Sequence, residues 1–353
     1  MNKSEVFAIG LMSGTSLDGI DLVYVKFDKN KYQNFEILYS ETIPYSEKWK
    51  STLQNAVDFS KIDLKRLDVN YGMLLGDVIN GFIDTYQIKN IDFIASHGHT
   101  VLHQPQNGVT LQVGNGQTIA NSTKQKVICD FRTQDVKLGG QGAPLVPIGD
   151  ELLFADYDYC LNLGGFSNVS FNENGKRTAF DICPVNIVLN KYAKQLGLDY
   201  DDGGKIAGSN SVLKELESEL KTLVYYDQLP PKSLGLEWVQ KEIFPRLEAS
   251  KGKSENILRT YTDHIAWAIA RELPENATIL VTGGGAFNRY LIDKIKSSKR
   301  VNLILPDKKL INFKEALIFA FLGLLKSVNQ VNCLKSVTGA KKNHSSGEIF
   351  YPN

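Results

Sequence analysis

The sequence lacks most features of secreted, disulfide-bonded or membrane-spanning proteins. Its 353 residues include four cysteines, which lie far apart without a CxxC pair and suit buried thiols in a reducing compartment. The N-terminus has no apolar segment or small-residue cleavage site typical of a signal peptide. The apolar run Ala316–Leu325 has about half of the ~20 residues that a membrane-spanning helix needs. These absences predict a cytoplasmic protein without a membrane partner.

The chain also lacks a charge imbalance and several well-known catalytic motifs. Its formal net charge is +1, and no basic stripe is interleaved with aromatic residues, so nucleic-acid binding has no electrostatic support. No GxSxG is present, which disfavours a hydrolase with a nucleophile elbow. Neither a Walker A motif nor GxGxxG occurs. The length predicts about two domains, and the hydrophobic content of 42% is ordinary for a globular protein.

Two segments of similar design are present. Residues 6–12 and 20–27 form a predicted β-hairpin, and residues 157–182 repeat the order of apolar strand, small-residue tip and apolar strand. Helical patterns follow each of them. We therefore predict two α/β lobes around a cleft, with residues 1–131 in the first lobe and 132–327 in the second. The C-terminal residues 328–353 are expected to pack back on the first lobe.

The first hairpin tip combines glycines, hydroxyls and carboxylates. Backbone amides without steric bulk and two hydroxyls suit phosphate oxygens, whereas carboxylates suit a hydrated Mg²⁺. The alternative is an ordinary turn closed by Asp-Gly. The candidate phosphate-binding residues are Gly14, Thr15, Ser16, Asp18, Gly19 and Asp21, with Asp18 as the candidate metal ligand.

Two further segments have similar chemistry. The tip within Asn162–Ser170 repeats the small polar pattern, and Leu280–Asn288 places three glycines between a strand and a helix. Glycines there let a phosphate or an adenine approach the backbone, and the helix N-terminus favours anions. Each signal is weak alone, but the three together favour a nucleotide-binding protein.

Asp181 is the candidate acid–base residue. It ends an apolar strand, and Pro184 just after it is predicted to begin a helix. A carboxylate at a strand end beside a cleft is suited to take a proton from an attacking oxygen. The alternative is that Asp181 only caps the helix. Cys183 has no nearby histidine in sequence, and we interpret it as an inert thiol.

Polar groups that suit a sugar or its carboxylate occur in two more segments. His97–Pro105 contains three histidines, which predict a polar wall more than a metal site because no acidic or cysteine ligand accompanies them. His103 is expected to make only a structural hydrogen bond. Arg132 is suited to pair with a carboxylate, and a flexible Gly-Gly-Gln-Gly loop follows it. Glu315 begins a predicted helix, where a negative charge is favourable.

The motifs and their order resemble those of anhydro-N-acetylmuramic acid kinases. The resemblance extends from Ile9 to Ala340 and is carried by GLMSGTSLDGID, SHGHTVLHQP, DFRTQD with GGQGAPLVP, LNLGGFSN, LPPKSLG, VTGGGAFN and SVTGA. It implies a two-lobed actin-like ATPase fold, ribonuclease H-like, with a central nucleotide cleft. It also implies an ATP- and Mg²⁺-dependent phosphotransferase of amino-sugar metabolism that takes part in peptidoglycan recycling. The implied reaction opens 1,6-anhydro-N-acetylmuramic acid with water and phosphorylates its O6.

The resemblance also assigns residues to roles. Gly14 to Asp21 match the ATP phosphate loop, and Asp181 matches the general base. Arg132 is expected to bind the lactyl carboxylate of the sugar. Residues in the second phosphate loop and near the nucleotide are Gly164, Gly165, Asn168, Gly283, Gly284 and Gly285, and further residues in matching segments are His97, Gln141, Asn186 and Glu315. The expected partner is a small-molecule sugar, and whether the protein forms a homodimer stays open.

The sequence departs from the family pattern after the proposed base. Ile182, Cys183 and Val185 stand where the family commonly has Thr, Gly and Gly, and HGHT replaces the more usual HGQT. These departures are compatible with an alternative function, a kinase of the same fold that acts on another sugar or anhydrosugar. A second alternative is an actin-type ATP-binding assembly protein, although the chain has no long extra domain for binding peptides.

Overall fold

The computed structural model describes residues 4–14 and 17–353. The chain divides into two compact units. The first contains the residues up to Ala155 together with Phe313–Asn353, and the second contains Asp156–Asn312. Among the residues described, no helix is both long enough and apolar enough to cross a membrane.

The first unit contains a mixed seven-stranded sheet. The order of its strands is β12-β6-β4-β1-β2-β3, and β5 pairs with β4 at the end of that strand. β1, β2 and β3 are antiparallel to one another, whereas β4 and β6 continue the sheet in parallel from β1. The strands are β1 (Glu5–Ser13), β2 (Gly19–Asp28), β3 (Phe35–Pro44), β4 (Phe93–Gln104), β5 (Val109–Val113), β6 (Val127–Cys129) and β12 (Glu348–Phe350).

The helices of the first unit pack against this sheet. α2 is its long helix and buries an apolar stripe that includes Leu75, Ile79 and Phe82, in one core with the β1 and β2 side chains. The helices are α1 (Glu47–Asn55), α2 (Lys61–Thr85), α3 (Gly116–Thr123), α4 (Thr133–Lys137), α5 (Val146–Leu153) and α14 (Lys335–Thr338), with 3₁₀ turns at Ala56–Asp58 and Pro105–Asn107. α13 (Lys308–Ser327) spans the division between the units.

The second unit contains a five-stranded sheet in the order β11-β10-β7-β8-β9. β7, β8 and β9 are antiparallel, and β10 and β11 continue in parallel from β7. The strands are β7 (Tyr159–Leu163), β8 (Phe166–Glu173), β9 (Lys176–Pro184), β10 (Thr278–Thr282) and β11 (Asn302–Ile304). Each unit therefore has an antiparallel three-stranded meander followed by two parallel strands. This repeated order is the ribonuclease H-like topology, which confirms the predicted fold class.

The helices of the second unit surround α11, whose buried face includes Leu258, Tyr261 and Ile265. These side chains share one core with β9 and β10. The helices are α6 (Asn186–Gln195), α7 (Lys205–Ser209), α8 (Lys214–Lys221), α9 (Leu236–Trp238), α10 (Phe244–Ala249), α11 (Ser254–Glu272) and α12 (Arg289–Ser298), with 3₁₀ turns at Asp202–Gly204, Val224–Asp227 and Gly284–Phe287 and a π turn at Val239–Ile243.

The compact units divide the chain at positions other than the predicted lobe boundaries. Residues 132–155 group with the first unit, because the buried carboxylate of Asp135 binds groups of the C-terminal segment there. The C-terminal part of α13 also groups with the first unit, where Gly10 of β1 lets it approach closely. Pro184 ends β9 and does not begin a helix, since α6 begins at Asn186.

Gly10 marks the closest approach of helix and sheet in the first unit. A Cβ atom added there would lie 2.2 Å from the carbonyl oxygen of Ala316 in α13 and 2.8 Å from the Cβ of Ala320. Because the obstructing atom belongs to backbone, the side chain of a larger residue fits only if the helix moves away from the sheet.

We predict that Gly10→Ala lowers the free energy of unfolding by about 1–3 kcal/mol, the usual cost of an overpacked core. The matched control is Gly81→Ala in α2, where an added Cβ meets nothing within 4 Å. That change is expected to stabilise by about 0.5–1 kcal/mol because alanine favours the helix. Urea unfolding of both variants is the measurement. Equal stability of Gly10→Ala and the wild type would contradict the close packing.

Candidate functional site

The loop between β1 and β2 is the first predicted phosphate-binding tip. The Leu17 amide donates a hydrogen bond to the Gly14 carbonyl over 3.4 Å, and Leu17 has a positive φ of 59°. The Asp18 side chain that follows is exposed. Thr15 and Ser16, which were also assigned to this tip, lie outside the described residues. The described part of this loop therefore includes a solvent-accessible carboxylate.

Gly19 and Asp21 at the start of β2 have separate structural partners. A Cβ at Gly19 would lie 2.6 Å from the Ile43 carbonyl oxygen, so the strand pairing itself requires glycine there. Asp21 accepts a 2.6 Å hydrogen bond from the Thr42 hydroxyl. Burial raises the pKa of Asp21, the Thr42 hydrogen bond opposes the rise, and the charge of Asp18 adds to it. A cation would relieve this repulsion between the two carboxylates.

The Gly98 carbonyl organises the neighbouring strand end. Gly98 lies within β4 and has a φ of 72°, and a Cβ there would lie 2.5 Å from the Val113 carbonyl oxygen. Its own carbonyl accepts a 2.8 Å hydrogen bond from the Ser13 hydroxyl and another of 2.8 Å from the Nδ1 of His97. Because this one carbonyl accepts both hydrogen bonds, it connects Ser13 of β1 to His97 of β4.

His97 holds Arg132 in place. Because its Nδ1 donates to a carbonyl, its Nε2 is free to accept, and Arg132 Nε donates to it over 3.0 Å. Arg132 Nη1 donates to the Gly142 carbonyl over 2.7 Å. Burial and the Arg132 charge keep the pKa of His97 well below its usual range. Burial also lowers the pKa of Arg132 to about 10, while Glu315 opposes that fall, so the guanidinium stays charged at neutral pH.

Glu315 lies in the same electrostatic environment as Arg132 and Asp21. α13 begins at Lys308, so Glu315 does not begin this helix as predicted. Burial of its carboxyl group raises the pKa of Glu315. The Arg132 charge opposes this rise and the Asp21 carboxylate adds to it. Three residues that the sequence singled out in distant segments are thus brought together in the first unit.

The Gly-Gly-Gln-Gly loop is fixed by a carboxylate that the sequence analysis missed. Asp135 is fully buried and its Oδ2 accepts a 2.7 Å hydrogen bond from the Gly142 amide. The Gly140 amide donates to the Asp135 carbonyl over 2.9 Å, and the Gln141 amide donates to the Thr338 carbonyl over 2.8 Å. The exposed Gln141 side chain therefore lies on a loop that three hydrogen bonds hold, and the predicted flexibility of this loop stays a prediction.

A cavity of about 580 Å³ lies beside the first tip, within the first unit. Asp18, Lys50, His99 and Thr100 contribute its polar lining. His99 is buried, and its Nδ1 has no hydrogen-bond partner among the described residues. Burial lowers the pKa of His99 to about 4, so the ring is neutral at physiological pH. His103, by contrast, is exposed and contacts the Thr110 hydroxyl over 3.1 Å, as a structural role predicts.

The second hairpin tip caps the helix that follows Asp181. The Val185 and Ile187 amides donate to the Gly165 carbonyl over 2.8 and 3.3 Å, and the Asn186 amide donates to the Gly164 carbonyl over 3.2 Å. These amides lie at the start of α6, where backbone amides have no hydrogen-bond acceptor within the helix. The Asn186 side chain also donates to the Leu163 carbonyl over 3.1 Å.

The triple glycine packs directly on this tip. A Cβ at Gly283 would lie 2.7 Å from the Asn162 side-chain oxygen, and one at Gly285 would lie 2.7 Å from the Leu163 Cβ. Gly284 is exposed, and its nearest neighbour would be the Asn186 amide nitrogen at 3.6 Å. The structure therefore brings the predicted residues of three separate segments into one cluster.

Polar side chains occupy one row across the second sheet. Thr282 of β10 pairs with Asn162 of β7, Asn162 pairs with Asn168 of β8, and Asn168 pairs with Asp181 of β9. Paired residues on adjacent strands are close neighbours. This register joins the candidate base to the glycine cluster, and no pattern within a single segment of the sequence could indicate it.

Asp181 does not cap the helix. The N-cap of α6 is Val185, and no side chain caps this helix. Instead, Asp181 Oδ2 accepts a 2.9 Å hydrogen bond from the Leu234 amide, and its backbone carbonyl accepts one of 2.7 Å from Tyr225. Burial raises the pKa of Asp181, whereas the Leu234 hydrogen bond lowers it. A carboxylate with a raised pKa is better suited to general-base work near neutral pH.

The segment that supplies Leu234 is held by a buried lysine. Lys232 Nζ lies 3.0 Å from Glu272, and the ammonium also lies over the Phe180 and Tyr225 rings at 5.4 and 5.2 Å. The motif LPPKSLG, quoted from the sequence without a role, thus serves to position the candidate base. Next to it, burial raises the pKa of Cys183 to about 12, so this thiol is inert as expected.

These elements define a class of protein. Each of the two ribonuclease H-like units has a glycine-containing tip near a carboxylate with a raised pKa, Asp21 in the first unit and Asp181 in the second, and these features are typical of sugar kinases. The model of the family described as anhydro-N-acetylmuramic acid kinase matches residues 6–352. The chain belongs to the anhydro-N-acetylmuramic acid kinase family, which confirms the resemblance. Membership supports the use of ATP as the phosphoryl donor.

Named relatives match over the full chain. An anhydro-N-acetylmuramic acid kinase of Bacillus cereus (strain AH187) is 31% identical and covers 99% of this chain and 100% of its own length. One of Francisella tularensis subsp. novicida (strain U112) is 32% identical, with 98% coverage of each chain.

Solved structures with weaker similarity also match. The activator of the 2-hydroxyisocaproyl-CoA dehydratase of Clostridium difficile with bound ADPNP has a TM-score of 0.46 at 14% identity and covers 92% of this chain and 97% of its own. A ROK family glucokinase of Streptomyces griseus with glucose and AMPPNP has a TM-score of 0.39 at 12% identity and covers 90% and 98%.

The raised pKa of Asp181 predicts how stability depends on pH. The folded state binds this proton more readily than the unfolded chain, so ionised Asp181 destabilises the fold above its folded pKa. Asp181→Asn keeps an oxygen that accepts from the Leu234 amide. We therefore expect this variant to exceed the wild type in unfolding free energy at pH 8, with an advantage that shrinks as the pH falls. Urea unfolding at several pH values is the measurement, and an advantage that grows toward acid would show a depressed pKa.

Proposed function

We propose that this protein opens 1,6-anhydro-N-acetylmuramic acid with water and transfers the γ-phosphoryl group of ATP to its O6. The products are N-acetylmuramic acid 6-phosphate and ADP. One observation carries this proposal. Asp181 is half-buried, has a raised pKa, and lies in one row of the sheet with the side chains of Asn162 and Asn168. The named relatives support the choice of substrate.

Asp181 would act as the general base. It takes a proton from water as the water oxygen attacks the anomeric carbon, and the bond between that carbon and O6 breaks. O6 then attacks the γ-phosphorus and the bond to the ADP oxygen breaks. Since phosphoryl transfer depends on positioning and electrostatics, the Leu234 amide that orients the carboxylate contributes to the rate.

Glycines and amides would hold the nucleotide. Gly164 and Gly165 form the exposed edge of the second tip, and Gly283 to Gly285 lie on it, where a phosphate or a flat base can approach the backbone. In the first unit, Gly14 and the carboxylates of Asp18 and Asp21 form the corresponding set. The mutual repulsion of these two carboxylates fits Mg²⁺, which binds oxygen ligands and, when bound, neutralises charge on the transferring phosphate.

Arg132 would bind the lactyl carboxylate of the sugar. His97 and the Gly142 carbonyl use its Nε and Nη1, which fixes the plane of the guanidinium. A fixed, charged guanidinium is suited to a carboxylate partner. Gln141 and Glu315 would contribute polar contacts to the same sugar. We further propose a cytoplasmic site of action, because the four buried free cysteines suit a reducing compartment.

The role of Asp181 is testable by separating catalysis from nucleotide binding. Asp181→Asn is expected to lower kcat for the anhydrosugar by about 10²–10⁴-fold, the usual contribution of a general base, while ATP binding stays unchanged. The control is Asp158→Asn, because Asp158 also accepts a backbone amide hydrogen bond, 2.8 Å from Thr278, outside the cluster. Coupled ADP release and calorimetric ATP titration are the measurements. Near-normal turnover by Asp181→Asn would exclude it as the base.

A substrate panel distinguishes this function from its alternatives. ATP consumption is expected with anhydro-N-acetylmuramic acid and not with N-acetylmuramic acid, anhydroglucose or no sugar. Arg132→Gln is expected to raise KM for the first substrate by about 10–100-fold, since a hydrogen bond to a charged group contributes about 1.5–3 kcal/mol. Turnover with another sugar alone would favour a same-fold kinase of different specificity, which the Ile182, Cys183 and Val185 departures allow. Turnover without sugar would favour an assembly ATPase.

A further inference from the structure

A second cluster of chemical groups lies away from the proposed catalytic residues, at the C-terminal end of the first unit. Asp135, Cys333 and His344 are all buried, and their ligand-type atoms lie within 4.8 Å of one another. The Cys333 sulfur is 3.1 Å from Asp135 Oδ1, and His344 Nε2 is 3.6 Å from the same oxygen. Within residues 4–14 and 17–353, this is the group with metal-ligand spacing.

The histidine supplies an independent indication of a ligand. Its Nδ1 lies 3.1 Å from the Lys342 carbonyl and must donate to it, which leaves Nε2 as an unprotonated acceptor in the neutral ring. His344 is 5% exposed, and its Nε2 has no hydrogen-bond partner in the described chain. A nitrogen lone pair facing a carboxylate oxygen is unfavourable unless a cation lies between them, either a proton on Nε2 or a metal ion. A ring that donates its other nitrogen to a carbonyl is typical of metal-bound histidine.

The backbone preorganises two of the three groups. Cys333 and His344 form an isolated antiparallel bridge, with both amides donating to the opposite carbonyls over 3.1 and 3.2 Å. Directly paired residues carry their side chains on the same side. We call residues 332–346 the C-terminal strap. Asn332 holds this strap further, since its side chain donates to the Leu322 and Ser346 carbonyls.

We propose that Asp135, Cys333 and His344 bind a zinc ion that fixes the C-terminal strap to the Gly-Gly-Gln-Gly loop. Sulfur, nitrogen and oxygen donors at these separations suit the tetrahedral preference of Zn²⁺, whose bonds to them are about 2.0–2.3 Å. The thiol proton leaves as the sulfur–zinc bond forms, so the thiolate and the carboxylate together neutralise the ion. A thiolate ligand disfavours Mg²⁺ or Ca²⁺.

Further groups of the chain bind the same carboxylate. The Thr338 hydroxyl lies 2.7 Å from Asp135 Oδ1, and the Gly142 amide holds Oδ2 in place. Because the Gln141 amide also donates to the Thr338 carbonyl, the ion would stabilise the loop that carries Gln141. The site would thus be structural, and its occupancy would be independent of whether the protein phosphorylates a sugar.

Metal analysis of the full-length protein tests this proposal. After treatment with chelator, addition of Zn²⁺ and gel filtration, the wild type is expected to retain one zinc ion per chain and to melt at a higher temperature than the chelated protein. Cys333→Ser and His344→Ala are expected to lose the retained zinc. Cys129→Ser, which also replaces a buried free thiol but lies outside the cluster, is expected to retain it.

Cobalt supplies a readout that needs no variant. Co²⁺ in place of zinc is expected to give near-ultraviolet thiolate charge-transfer absorption and the visible bands of a tetrahedral ion. A wild type that retains no zinc and shows no cobalt–thiolate absorption would overturn the proposal and leave a hydrogen-bonded cluster. Zinc retained equally by folded Cys333→Ser would also overturn it, because the ion would then lie elsewhere.

Discussion

The hydrogen bond from the Leu234 amide to the Asp181 carboxylate is the contact on which the proposed chemistry depends most. The carboxylate is half-buried, and a 2.9 Å amide hydrogen bond orients it without supplying a full positive charge. Burial therefore prevails and the pKa stays above the ordinary aspartate value. A salt bridge in the same place would have lowered the pKa and weakened the base. Lys232, the nearest buried ammonium in that segment, is paired with Glu272 instead.

In the first unit as well, polar groups with fixed positions orient a charged side chain. His97 is kept neutral by burial and by the Arg132 charge, and as a neutral ring it can accept a hydrogen bond from that arginine. The Gly98 carbonyl fixes the tautomer that makes this possible. One backbone carbonyl thus determines the orientation of a charged group two side chains away. Substitution of His97 by a residue that cannot accept would leave the guanidinium held by the Gly142 carbonyl alone.

Local patterns in the sequence predicted most of the elements. The hairpin at residues 6–27 and the helix after the triple glycine follow from period-two and helical spacing, and each is present. The family resemblance identified the residues that cluster at the second tip. Asp135, Lys232 and Leu234 were missed as functional groups because each has a partner far away in the sequence, at a separation between 40 and 203 residues. Pro184 was misassigned since the strand continues through it, and the central nucleotide cleft between lobes stays a prediction.

We propose that ring opening by water and phosphorylation of O6 occur in one reaction. Turnover of anhydro-N-acetylmuramic acid and ATP in ¹⁸O-labelled water, with the product analysed by mass spectrometry, is the decisive measurement. We expect one label at the anomeric hydroxyl of the sugar phosphate and none in the transferred phosphoryl group, under conditions where anomeric exchange is slow. Label in the phosphoryl group, or an unlabelled sugar product, would rule out this reaction.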